Sequence, residues 1–294
     1  MQGLEDGMTV RAGFIGLGSI GKPMAGRLVA AGLETVVYDV ARAPVDVLVA
    51  QGARAAESPR ELAASSDVVG VCVRDDDDVL AVCLGEDGIL AGARPDSVIA
   101  IHSTVLPRTV EEVAEAARTR DVGVVDACIT GGPSGAQQGT LTYMVGGEAA
   151  VLERCRPVFE TAAKKIVHAG PLGSGAKVKL CNNLMTYLAW ISAYEATALA
   201  RAIGLPQEVL EEVTRSNGNM TDPMLQFLGI HKMPDEARRG EPMQKILDGY
   251  RKVAEKDLTW TLALAREVDV ELPGTELASG LMGRIYGIED EGSG

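Results

Sequence analysis

The sequence predicts an α/β fold in two parts: an N-terminal, doubly wound and mostly parallel sheet domain, then an all-α C-terminal domain reached through one long helix. Three observations carry this. Short Val/Ile/Ala-rich runs alternate with helical patterns from residue 10 to about residue 170, the order that builds βαβ units. Several of those runs lack polar alternation, as strands buried on both faces do. After about Ser174 the β-type runs vanish and long helical patterns take over.

Taken in order, strands are expected at 11–15, 35–38, 68–73, 98–102, 122–127, 141–145 and 165–167. Helices at 22–31, 44–51, 59–65, 77–84, 109–120 and 148–163 fill the intervals. The second part opens with a helix over 174–203, with Ser174 suited to cap it and Gly204 and Pro206 suited to stop it. At 1.5 Å per residue it would be roughly 43 Å long, enough to pass from one domain to the next. Further helices are expected at 206–215, at 243–268 with Gly249 a candidate break, and at 276–286. The boundaries that follow are a flexible extension over 1–9, a sheet domain over 10–173 and a helical domain over 174–290.

Composition narrows the function classes. With 294 residues, 46% hydrophobic and 23% charged, the chain is unlike collagen-like, disordered or coiled-coil sequences. A net charge of −13 repels phosphate backbones and anionic headgroups, so neither nucleic acid nor a membrane surface is an expected partner. No apolar stretch approaches the roughly 18–20 residues of a membrane span. Cys72, Cys83, Cys128, Cys155 and Cys181 are odd in number and show no CxxC spacing, which favours reduced thiols and a cytoplasmic setting. The three histidines, His102, His168 and His231, lie far apart, so no metal site is expected.

The strongest local signal is Gly16-Leu17-Gly18-Ser19-Ile20-Gly21, set between an expected strand and an expected helix. Gly16 permits the tight turn, Gly18 admits a pyrophosphate to the backbone, and Gly21 lets helix and strand pack closely. The helix start then offers free N–H groups to the phosphates. This is the dinucleotide fingerprint of a Rossmann domain. Asp39 ends the second strand, 21 residues beyond Gly18, where a carboxylate accepts ribose hydroxyls and repels a 2′-phosphate. NAD is therefore favoured, with NADP kept open because Arg42 follows closely.

Three further stretches join this fingerprint. They are Asp126-Ala127-Cys128-Ile129-Thr130-Gly131-Gly132, Gly173-Ser174-Gly175-Ala176-Lys177-Val178-Lys179-Leu180-Cys181-Asn182-Asn183, and Lys256-Asp257-Leu258. In this order and spacing, the chain resembles the β-hydroxyacid dehydrogenase family, typified by 3-hydroxyisobutyrate dehydrogenase. The resemblance implies Lys179 as catalytic acid/base, Asn183 as its partner at the substrate, and Thr130, Gly131 and Gly132 as the holder of the substrate carboxylate. It implies cofactor contacts from Val73, Arg74, Thr104 and Lys256 beside the fingerprint and Asp39. It also implies a homodimer or homotetramer formed through the helical domain.

The residues themselves agree with this chemistry. Lys179 and Asn183 are four apart on an expected helix and share one face, where an amine and an amide can grip an alcohol oxygen. Oxidising a hydroxyl-bearing carbon requires its O–H proton to leave, and a neutral Lys179 can take it. Two neighbouring glycines after Thr130 keep backbone N–H groups open to a carboxylate. Thr130 stands where Ser is more usual, Cys128 where Pro is common, and Arg74 opens onto Asp75-Asp76-Asp77-Asp78, a run expected to face water or cap a helix. Two alternatives stay in view: an imine or ketone reductase on the same scaffold, whose members tend to lack the lysine, and a catalytically silent dinucleotide-binding protein. The expected activity is the NAD(P)-dependent interconversion of a small β-hydroxy acid and its semialdehyde.

Overall fold

The computed structural model describes residues 10–288; the extension expected over 1–9 lies outside them, as does the tail of the expected helical domain beyond Ile288. The chain forms two compact units, divided between Lys179 and Leu180. That division falls inside a long helix, where the sequence reading sets the boundary at the helix start.

In the first unit the elements are β1 (Ala12–Ile15), α1 (Gly21–Ala30), β2 (Thr35–Tyr38), α2 (Arg42–Val49), β3 (Arg54–Ala55), α3 (Pro59–Ala64), β4 (Val68–Val71) and α4 (Asp76–Leu84). They continue as α5 (Ile89–Gly92), β5 (Val98–Ile101), α6 (Pro107–Arg118), β6 (Gly123–Thr130), α7 (Gly132–Gln138), β7 (Leu141–Gly146), α8 (Ala149–Phe159) and β8 (Ala163–Gly170). The strands form one sheet in the order β3-β2-β1-β4-β5-β6-β7-β8. All neighbours are parallel except β6 and β7. Only residues 131–140 connect that pair, too few for a crossover back to a parallel strand. The strand order reverses beside β1, so the ends of β1 and β4 flank a switch point, where open sheets of this kind bind ligands.

Successive strand residues face opposite sides, and each side has its own core. Phe14, Leu28, Tyr143, Val158 and Phe159 fill one; Ile15, Leu62, Val69, Ile99 and Val113 fill the other. Fully burying each large side chain contributes roughly 1.5–3 kcal/mol. His102 lies in the first core, stacked on Phe14 at 5.7 Å, with its Nδ1 2.8 Å from the Ala127 carbonyl.

Helix α9 (Ser174–Ala202) leads into α10 (Gln207–Ser216), α11 (Asp222–Lys232), α12 (Asp235–Arg239), α13 (Glu241–Glu267), α14 (Pro273–Ser279) and α15 (Met282–Tyr286). The second unit packs Tyr187, Met220, Met224, Phe227, Leu228, Leu258 and Met282 together, with Trp190 stacked on Phe227 at 4.8 Å. Several elements differ from expectation. β3, α5 and α7 are too short to show a period, and α7 is made of residues that read as turn. α8 stops at Phe159 because Ala163 pairs with Leu141 and begins the last strand. α13 runs unbroken through Gly249, whereas the expected helix over 276–286 divides at Gly280.

Candidate active site

The dinucleotide loop is built on the end of β1. Gly16 takes φ +89°. A Cβ there would lie 2.2 Å from the Cys72 carbonyl oxygen, and one at Gly21 would lie 1.9 Å from the Gly16 carbonyl oxygen, so only glycine fits at either place. Gly18 instead faces open space, leaving room over the start of α1 for a pyrophosphate. The cradle thus fits a dinucleotide. Leu17, Ser19 and Ile20 complete the loop. Asp39 closes it from β2: one carboxylate oxygen accepts the Leu17 N–H at 2.6 Å and the other the Ala41 N–H at 2.7 Å.

The exits of β4 and β5 are joined twice. The Ser103 hydroxyl accepts the Val73 N–H and donates to the Val73 carbonyl, both at 2.9 Å. Asp76 accepts the Leu106 N–H at 2.9 Å and the Thr109 hydroxyl at 2.5 Å. These bonds fix the segments that carry Val73 and Thr104. The aspartate run divides its labour. Asp75 caps α4 through the Asp78 N–H, Asp77 is exposed, and Asp78 takes the Arg74 guanidinium at 2.7 and 2.9 Å. Arg74 therefore lies along the protein surface, 84% exposed.

At the end of β6, Gly131 and Gly132 take φ of +126° and +64°, a conformation that opens the backbone beside Thr130. Lys179 is half-buried on α9. Burial pushes the Cys72 thiol up to about 12, and the Lys179 ammonium opposes that shift. Cys72 is the residue whose carbonyl closes on Gly16. Lys177 points to solvent. The first unit thus holds the Gly16–Gly21 loop, Asp39, Val73, Arg74, Thr104, Thr130, Gly131, Gly132 and Lys179.

In the second unit Asn183 and Lys256 meet on one carboxylate. Asn183 Nδ2 donates to Asp257 Oδ2 at 2.7 Å, the Tyr187 hydroxyl donates to the same oxygen at 3.0 Å, and Lys256 Nζ lies 2.9 Å from Oδ1. Asp257 is 1% exposed. Sequence reasoning quoted it within its motif and gave it no role. The available signal was a charge at a position flanked by Ala254, Leu258 and Thr261, all on one buried face of α13. Among the described residues, no group of three His, Cys, Asp or Glu side chains could hold a metal ion, and no helix is long and apolar enough to cross a membrane.

Comparison with known proteins places this geometry. Residues 11–170 match the family model for the NAD binding domain of 6-phosphogluconate dehydrogenase. Residues 173–291 match that for the NAD-binding region of NADP-dependent 3-hydroxyisobutyrate dehydrogenase. The NAD-dependent L-serine dehydrogenase of Pseudomonas aeruginosa is 43% identical over 208 residues, 70% of this chain and 70% of that protein. The 3-hydroxyisobutyrate dehydrogenase of the same organism is 35% identical over 272 residues, 91% of this chain and 89% of that one. The solved Mycobacterium tuberculosis 3-hydroxyisobutyrate dehydrogenase with L-serine superposes at a TM-score of 0.79 and 28% identity, covering 95% of this chain and 94% of that one. An imine reductase of Streptomyces aurantiacus, 19% identical at a TM-score of 0.66, shares the fold alone.

The chain belongs to the β-hydroxyacid dehydrogenase family. It is an oxidoreductase that uses a nicotinamide dinucleotide, NAD or NADP.

Proposed function

We propose that this enzyme is an NAD-dependent dehydrogenase of a small β-hydroxy acid of the L-serine or 3-hydroxyisobutyrate kind, with Lys179 as its acid/base. One observation carries the reading: at the end of β1 a Cβ at Gly16 or Gly21 would collide with backbone while Gly18 stands open, a cradle that fits a dinucleotide, in the same unit as Lys179. An amine can take the hydroxyl proton of an alcohol and return it in the reverse direction. The bound nicotinamide supplies the hydride acceptor. Thr130, Gly131 and Gly132 hold the substrate carboxylate, and Asn183, oriented by Asp257, hydrogen-bonds the substrate. Val73, Arg74, Thr104 and Lys256 contribute to the dinucleotide.

NAD is favoured over NADP by the charges around Asp39. Arg42, three residues beyond Asp39, is already paired with Asp46 at 2.7 Å and faces Glu57 at 3.9 Å. A phosphate arriving there would meet three carboxylates and compete for one guanidinium. The relative named an NAD-dependent L-serine dehydrogenase supports the same choice.

The enzyme is read as a cytoplasmic homo-oligomer. Among its helices, α10 buries no residue, and Leu199, Ile203, Val209 and Val213 are 63, 69, 46 and 55% exposed. A second copy is the occupant implied for apolar side chains left this exposed.

The test is a turnover screen, followed by absorbance of the reduced nicotinamide, with NAD and NADP against L-serine, 3-hydroxyisobutyrate, glycerate and 3-hydroxypropionate. Reduction of NAD by at least one of them, faster than of NADP, is expected. Tight dinucleotide binding with no turnover across the panel would leave a silent binding protein instead.

A further inference from the structure

Asp126 is fully buried in the middle of β6, paired with Ile101 of β5 and Gly146 of β7. Its carboxylate leaves the sheet toward the entry of α9. Oδ1 accepts the Gly173 N–H at 2.8 Å and Oδ2 accepts the Ala176 N–H at 2.7 Å. A helix start leaves such donors without intrahelical partners, and a negative side chain suits them.

Two features set this cap apart from an ordinary one. It comes from a strand 47 residues upstream of Gly173, while Ser174, expected from the sequence to cap this helix, is instead its first residue. The fold also makes room for it. A Cβ at Gly146 would lie 2.4 Å from Asp126 Oδ1, and one at Gly175 would lie 2.9 Å from Oδ2 and 2.4 Å from the Met144 carbonyl oxygen. Two residues further along β6, Cys128 packs with Met144 and Ala176, so the contact extends as a seam. Burial pushes the Asp126 carboxyl above its ordinary range, while the N–H groups of Ala176, Gly173 and Gly175 draw it back. The group is therefore costly to keep where it is, and a local cap would avoid that cost.

The seam joins two site-bearing elements. β6 ends at Thr130, and α9 reaches Lys179 three residues after Ala176. We infer that Asp126 is a positioning residue, fixing α9 against β6 and so setting where Lys179 stands relative to Thr130. Its effect on catalysis rests on the reading of Lys179 as acid/base; its hold on the helix entry does not. A local cap would let the helix pivot, and a displacement of about 1 Å at a reacting group lowers turnover by about a hundredfold.

The deciding variant is Asp126→Asn, which keeps the shape and turns one acceptor into a donor aimed at an N–H. Hydrogen exchange across residues 173–180, NAD affinity, kcat and the deuterium isotope effect on kcat are read together, beside the parent enzyme. The account expects exchange over 173–180 to quicken about tenfold or more and NAD affinity to stay within about twofold. It expects kcat to fall by about ten- to a hundredfold, with a larger isotope effect. Parent-like exchange and parent-like kcat in a folded variant would overturn it. So would losses of NAD affinity and kcat in step with an unchanged isotope effect, since that pattern marks general loosening. Should Asp126→Asn fail to fold, Ala176→Gly opens the same seam without leaving a buried donor. It should show the same exchange signature with kcat about threefold lower or more, and a parent-like result there is equally fatal. A parent enzyme with no turnover would count against the proposed function alone, because the exchange measurement still reports on Asp126.

Discussion

Asp257 shows how one buried charge can organise a site. Three donors from two helices converge on it, and burial together with its charge holds the Tyr187 phenol well above the ordinary range, as a hydrogen-bond donor. Removing the carboxylate would take away the acceptor shared by Asn183, Tyr187 and Lys256, and breaking a buried ion pair costs about 3–5 kcal/mol. Asp257→Ala should therefore lose stability on that order in urea unfolding. Tyr187→Phe, which gives up one hydrogen bond, should lose about 1 kcal/mol. Equal losses for the two variants would mean that the charge is not the organising element. His102 makes a separate, pH-dependent prediction. Burial lowers its value to about 4 from an ordinary 6.5, so the folded protein holds it neutral while the unfolded chain takes up a proton below about 6.5. Its contribution is whole above pH 6.5 and declines as pH falls toward 4, by up to about 3 kcal/mol. Replacing it by Gln should flatten the pH dependence of unfolding across that window; an unchanged slope would assign the acid sensitivity elsewhere.

At the scale of elements, legibility followed length and period. β4 and β5, rich in Val and Ile, were readable, as were the more mixed β1, β2 and β7, and so were the ends of α9, where Ser174 and Gly204 stand. The β6–β7 reversal was not, because it depends on the short 131–140 connection and on a helix, α7, written in Gly, Pro, Ser and Gln. The site divided in the same way. The glycine fingerprint announces itself through local spacing, whereas the proposed role of Lys179 came from the family resemblance of the motif around it. The roles of Asp126, Ser103 and Asp257 arise only when distant segments pack, and no local pattern encodes which buried carboxylate will meet which amide. Gly249 marks the opposite error: a glycine signals a break only if the chain uses its freedom, and 26 other residues of α13 hold the helix through it. A Cβ at Gly249 meets nothing within 4 Å. Gly249→Ala should thus stabilise the enzyme by up to about 1 kcal/mol in urea unfolding, and destabilisation would show that the position is packed in solution.

For the molecule as a whole, charge and exposed apolar surface point in different directions. A net charge of −13 favours dispersal, while the exposed apolar side chains of Leu199, Ile203, Val209 and Val213 favour association. Val209→Glu combined with Val213→Glu should lower the mass measured by light scattering to that of a single chain, 30.8 kDa. A parent enzyme already at that mass would remove the oligomer from the account. The family likeness fixes the reaction class, and the proposed mechanism adds Lys179 acting at the hydroxyl. The most direct test of that role is kcat for Lys179→Ala, measured beside its NAD affinity on the best substrate of the parent enzyme. Loss of the acid/base should lower kcat by about a hundredfold to ten-thousandfold with NAD affinity nearly intact, whereas turnover close to that of the parent would contradict the mechanism.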